Sequence, residues 1–135
     1  MTPLTLARAE QLAKATIAAA RAKSLNPMSV AVIDVSGNLK FALREDGAGL
    51  AGVDIALGKA RAALTFGCTS KQIAEALAGN PLAGPSVLAA LQGRVVLLGG
   101  GAPIPGGGGS AIGAIAAAGD APDNDEAIVL AALGV

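Results

Sequence analysis

Residues Ser29 to Phe66 read SVAVIDVSGNLKFALREDGAGLAGVDIALGKARAALTF, and this stretch decides the fold. Ser29 to Val35 is rich in β-branched residues and apolar on both alternating faces, which predicts a strand covered on both sides. Ser36-Gly37-Asn38 signals a tight turn, and Leu39 to Glu45 reads as the returning strand of a hairpin. Leu50 to Phe66 then predicts a helix. One stripe holds Ala51, Ile55, Gly58, Ala62 and Phe66, another Leu50, Val53, Leu57, Ala60 and Leu64, leaving Asp54, Arg61 and Thr65 as the polar sector. A helix apolar nearly all round is sandwiched between two surfaces.

Upstream, Thr5 to Ser24 predicts a helix with Leu12, Ala15, Ala19 and Ala22 along one stripe, ended by Asn26-Pro27 because the residue before proline avoids the α region. Downstream, Ser70 is positioned to cap a short helix over Lys71 to Ala78, and Pro81 to Gln92 is ambiguous. Arg94 to Leu98 (RVVLL) predicts a strand, the glycine-rich Gly99 to Gly109 a wide hairpin, and Ser110 to Ala118 another strand. Asp120 or Asp123 is expected to cap a last helix from about Asn124 to Leu133. The order α-β-β-α-(α)-β-β-(β)-α predicts a single α+β domain over residues 1–135, with an antiparallel sheet packed by helices.

Composition narrows the function. The 135 residues carry ten Lys plus Arg and ten Asp plus Glu, so the formal charge is zero and the electrostatic footprint of nucleic-acid binding is missing. Phe41 and Phe66 are the only aromatics, too few for base stacking. With no histidine, His bases, Ser-His-Asp triads and His-ligated metals are excluded, and the single Cys68 forms no intrachain disulfide. No metal site is expected. No apolar run of about 18 residues marks a membrane span. The first 24 residues carry Arg8, Glu10, Lys14, Arg21 and Lys23 without an apolar h-region, so cytoplasmic placement is expected. Charged residues make up 15% of the chain, against roughly 25% in typical soluble domains. Such a surface is expected to be hidden in a homo-oligomer, dimer or higher.

Lys59 stands on the edge of an apolar stripe of the second helix. An ammonium there is perturbed, or paired with a carboxylate or a bound anion, unless its stem covers apolar surface while the amine reaches water. Arg44, Glu45 and Asp46 close the second strand before Gly47-Ala48-Gly49, where Arg44 offers a fork for a carboxylate and Asp46 a proton-transfer group; an ordinary charged turn is the plainer reading. Gly99-Gly100-Gly101 is a backbone nest for an anion or simply a turn that permits close packing. It is not a dinucleotide fingerprint, because Pro103, Pro105 and a strand follow it instead of a helix. Asp120, Asp123, Asp125 and Glu126 cluster at a helix start, where capping explains them more simply than a metal.

The stretches from Ser29 to Gly67, Gly99 to Ile104 and Gly113 to Ile128, in this order, resemble the GlcG/HbpS-like family, often labelled haem-degrading domains. The resemblance implies a compact domain with a five-stranded antiparallel sheet, assembly into dimers or higher oligomers, and haem as a ligand of some members. It carries the pocket onto Arg44, Asp46, Lys59 and Gly99 to Gly101. This chain has no His or Tyr to ligate iron, and Cys68, Met28 and Lys59 are the remaining candidates. No cofactor is therefore expected to be required. Two functions follow. One is an oligomeric binding or accessory protein for a small carboxylate metabolite or a tetrapyrrole, with Arg44, Lys59, Gly99, Gly100 and Gly101 at the ligand. The other is a cofactor-independent lyase, isomerase or hydrolase acting on a small carboxylated substrate, with Arg44 as clamp, Lys59 as charge or amine and Asp46 moving a proton.

Overall fold

Four strands and five helices account for the regular structure in a computed structural model that describes residues 3–135. The first helix, α1 (Leu6–Ala22), starts where the Thr5 side chain accepts the Arg8 amide, and it buries Ala9, Leu12, Ala13, Thr16 and Ala20. Its inward stripe keeps Leu12 of the expected one but turns away from Ala15, Ala19 and Ala22. The reason is Thr16, whose hydroxyl donates to the Leu12 carbonyl and so enters the core without an unsatisfied group.

Strands β1 (Ser29–Asp34) and β2 (Leu39–Arg44) form the expected hairpin. Asp34 holds its turn, accepting the amides of Ser36 and Asn38 at 3.0 Å each, while Gly37 takes a φ of 84°. Next come α2 (Gly52–Phe66), α3 (Ser70–Leu77), α4 (Ala83–Ala90), β3 (Gly101–Pro105), β4 (Ala111–Ala118) and α5 (Pro122–Leu133). The sheet runs β2-β1-β4-β3 and every pair is antiparallel.

The two faces of the sheet differ in side-chain size. Val30, Val32, Ala102, Ile104, Ile115 and Ala117 point to one side, against α1 and Ile128 and Val129 of α5. Ala31, Ile33, Ala114, Ala116 and Ala118 point to the other, against Ala56, Ala60 and Ala63 of α2. Alanine meeting alanine lets α2 lie close to the sheet, and a smaller cluster of Ala62, Ile73 and Val95 seats α3 behind it.

Several expectations are corrected here. The sheet has four strands, not five, because Arg94 to Leu98 pairs with none; it instead runs along α2, with Val95 buried and Val96 pressed against Gly58. The edge strand is instead Gly101–Pro105, inside the presumed hairpin, where Pro103 and Pro105 are tolerated because an edge residue can dispense with one ladder donor. The ambiguous Pro81 to Gln92 region contains α4. Finally, Thr69 with Gln72 forms the capping box of α3, displacing Ser70, and α5 starts at Pro122 after Ala121 with no side-chain cap.

A Cβ added at Gly58 would lie 2.5 Å from Val96 Cγ2 and 3.0 Å from the Val96 backbone nitrogen. Gly58→Ala is expected to cost about 1–3 kcal/mol by overpacking despite its better helix propensity. Gly107→Ala, which meets nothing within 4 Å, is expected to stay near wild type. Urea unfolding of the two variants checks the contrast.

Candidate functional site

Lys59 lies on the buried face of α2 with 2% of its surface exposed. Its side chain reaches the β4–α5 corner, where Nζ donates to the Ala117 carbonyl at 3.1 Å and to Asp125 Oδ2 at 3.0 Å. Asp125, at 1% exposure, accepts the Asp120 amide on its other oxygen at 2.9 Å. Burial pushes the Asp125 carboxyl above its ordinary value, with the Lys59 ammonium and the Asp120 and Gly119 amides acting in the opposite direction.

The glycine turn explains how the pair fits. Gly100 has a φ of 132°, and a Cβ there would fall 2.8 Å from Lys59 Nζ and 2.7 Å from the Ala117 carbonyl oxygen. At Gly101 a Cβ would fall 2.5 Å from the Lys59 carbonyl oxygen, and the Gly101 amide donates to buried Ser70 Oγ at 2.8 Å. Gly99 packs against Pro122 and Lys71. These glycines are the corner through which α2, α3 and α5 meet the end of β3. Sequence reasoning missed two members: Asp125 was absorbed into a capping cluster, and Ser70 into a helix cap. The apolar setting of Lys59 is compatible with a counter-charge, a bound anion or a snorkelling stem, and does not say that Asp125 supplies the charge.

The other acids are engaged separately. Asp120 accepts the amides of Asn26 and Ala121 and the Asn124 side chain, while Asp123 pairs with Lys71 at 3.2 Å. Among the described residues no group of three or more His, Cys, Asp or Glu is placed to hold a metal ion.

Arg44 and Asp46 lie elsewhere. Arg44 pairs across β1 Ser29, which pairs with Ala118, and β3 is one strand further. The glycine corner is thus three strand spacings away, about 14 Å. The structure therefore joins Lys59 to Gly99, Gly100 and Gly101, and separates both from Arg44 and from exposed Asp46. No hollow shared by Lys59 and Arg44 exists, because Asp125 encloses the amine. Arg44 donates to the Ala48 carbonyl at 2.8 Å and so stiffens the Gly47–Gly49 loop. Glu45 accepts the Met28 amide at 2.8 Å and pairs with Arg21 at 3.3 Å. Under this loop lies a cavity of about 480 Å³, walled by Gly47, Gly49, Gly52 and Ile55 on one side and by Pro27 and Gly119 on the other. The N-terminus of α2, which opens on it, has no side-chain cap. The Ser29 hydroxyl is buried without a hydrogen-bond partner, against the spot a side chain at Gly52 would take.

Together these features define a layered α+β protein: an antiparallel sheet between helices, closed at its β3 end by a buried lysine–aspartate pair. Residues 4–134 match the family model described as haem degrading protein HbpS-like, and the chain belongs to that family. Among solved structures, a double mutant of HbpS from Streptomyces reticuli is 32% identical with a TM-score of 0.85, covering 99% of this chain and 87% of that one. ORFY of Klebsiella pneumoniae is 29% identical with a TM-score of 0.88, covering 99% and 91%. PduOC in a complex with haem is 25% identical with a TM-score of 0.86, covering 98% and 94%. No curated protein matches the sequence.

The donors described here do not fit a haem held by a protein axial ligand. Met28 is fully buried in the main core and Lys59 is committed to Asp125. Cys68 borders a cavity of about 880 Å³, but it packs as an apolar group against the cluster of Ala62, Ile73 and Val95.

Two outcomes follow. Asp125→Ala, which strands Lys59, is expected to lose about 3–5 kcal/mol. The double variant Lys59→Met with Asp125→Leu is expected to lose less than the sum of its single changes, as read by a denaturation double-mutant cycle. Second, the Asp120 carboxyl is held below its ordinary value by the Asn26 amide, the Asn124 side chain and the Ala121 amide. A lowered folded value stabilises above the unfolded one and is lost on acidification. The melting-temperature deficit of Asp120→Asn should therefore be full at pH 6 and close as the pH falls below the unfolded value of 3.8.

Proposed function

We propose that this chain is a homo-oligomeric small-ligand-binding protein whose ligand presents a carboxylate. The observation that carries this is the cavity beneath the Gly47–Gly49 loop, on which an uncapped α2 N-terminus opens, with the unpartnered Ser29 hydroxyl buried behind Gly52 of its wall. The Gly52 amide is given to the Gly49 carbonyl, but the Val53 and Asp54 amides have no side-chain cap, and the positive dipole end of a helix attracts anions. Arg44 holds the loop that roofs this cavity through Ala48, and its remaining guanidinium donors lie at the cavity's rim side of β2, where a carboxylate entering under the loop would meet them. Lys59 and Gly99 to Gly101 brace the opposite wall, since the Ala117 carbonyl held by Lys59 directly precedes Ala118 and Gly119. The PduOC–haem complex supports small-molecule binding in this fold. Binding is favoured over turnover because Lys59 is bonded to Asp125, on a different part of the sheet from Asp46.

Self-association is supported by α4. None of its residues is buried, and Leu82 and Leu88 next to and within it are exposed, as are Leu50 and Phe66. A second copy that covers such residues accounts for the low charge content.

Titration calorimetry with acetate and propionate is expected to show saturable binding that Arg44→Ala weakens about tenfold. Absence of binding to either acid sinks the carboxylate reading, and stoichiometric haem uptake followed by absorbance would replace it with a tetrapyrrole. Leu82→Lys with Leu88→Lys is expected to shift the mass by light scattering toward the monomer; a monomeric wild type sinks the oligomer.

A further inference from the structure

We propose that the groove between the β1–β2 turn and the C-terminal half of α2 is a second binding site, for a small organic dianion held between Arg61 and Arg94. This goes beyond the reading above, which seats its ligand at the other end of α2.

The case rests on which arginines lack partners and share a cavity. Of the five arginines, Arg8 bonds Gln11, Arg21 bonds Glu45 and the Leu25 and Asn26 carbonyls, and Arg44 bonds Ala48. Arg61 and Arg94 alone make no side-chain hydrogen bond or ion pair among the described residues, and both line one cavity of about 830 Å³. No carboxylate lines it. Asp34, at the foot of the neighbouring turn, accepts the Ser36 and Asn38 amides through Oδ1 and does not line this cavity. Two guanidinium groups in one concavity repel each other unless an anion lies between them, and planar forks select carboxylate or phosphate oxygens.

The walls are set before a ligand arrives. Asp34 fixes the turn that presents Asn38, and Arg61 projects from a regular helix. On the far side the chain leaves α4 through two left-handed residues, Gln92 (φ 58°) and Gly93 (φ 71°), with the Gly93 amide donating to the Leu88 carbonyl at 2.8 Å. That turn delivers Arg94, and Val95 behind it is anchored in the core. Leu64 and Val95 make the floor apolar, with Asn38 and Gln92 as polar rim. Two cations over a hydrocarbon floor suit a short chain with an acidic group at each end, and two charges on a single phosphoryl group satisfy the same forks.

Calorimetry on the full chain at low salt tests this with succinate, inorganic phosphate and acetate as probes. Succinate is expected to bind more tightly than acetate, and Arg61→Ala and Arg94→Ala are each expected to weaken it about tenfold or more, with partial rescue by Arg61→Lys and Arg94→Lys. Arg8→Ala should leave it unchanged, and melting temperatures near wild type show that the variants are folded. Saturation by phosphate with the same arginine dependence also supports the site, with a phosphoryl group as its anion. Wild-type affinity in both alanine variants, or no binding of either dianion, overturns it. Loss confined to Arg44→Ala overturns this site while leaving the carboxylate reading intact. An oligomer that dissociates in the double alanine variant, without dianion binding by wild type, overturns it in favour of an acidic contact from a second copy.

Discussion

The pairing of Lys59 with Asp125 is the constraint on which the arrangement of layers depends. Each charge, taken out of water, loses several kcal/mol of hydration, and only close geometry with further hydrogen bonds recovers it. Here the recovery is shared among Asp125, the Ala117 carbonyl and the Asp120 amide, contributed by β4, the following corner and α5. Helix α2 on one side of the sheet is thereby fixed to α5 on the other. Any slide of one layer against the other would leave a buried charge alone.

The contact exists because side chains are missing where it passes. Alanines on α2 and on β4 bring helix and sheet close, and Gly100 and Gly101 leave room for Lys59 where a Cβ would clash with it. The same economy of side-chain volume leaves little charged surface. Arg44 stands on the strand beside the N-terminal end of α2, and Arg61 shares a groove with Arg94 near its C-terminal end. In a chain of zero formal charge, such local concentrations bear on binding more than the total does.

Much of the fold was legible because its signals are local. The Ser29 to Arg44 hairpin follows from alternation and the Ser36-Gly37-Asn38 turn, and α2 from an apolar period closed by Gly67 in the left-handed region. Arg94 to Leu98 misled because β-branched residues favour any half-buried extended path, paired or not, and Gly58 offered one along a helix. Pro103 and Pro105 argued against a strand that only an edge position permits. The candidate site was legible in part: Lys59 and the glycine turn stood out separately, whereas Ser70 and Asp125 looked like helix-start residues. Arg61 looked like the solvated sector of an amphipathic helix, and nothing in the sequence joined it to Arg94.

By itself, then, the chain's pattern of residues determined the hairpin, the principal helices, the absence of histidine chemistry and the unusual apolar setting of Lys59. These depend on neighbours a few positions apart or on composition alone. Tertiary structure decided the partner of that lysine, 66 positions away, the edge strand, and which cations share a groove. Such pairings depend on how closely layers approach, a quantity set by every side chain between them and carried by no short stretch of sequence.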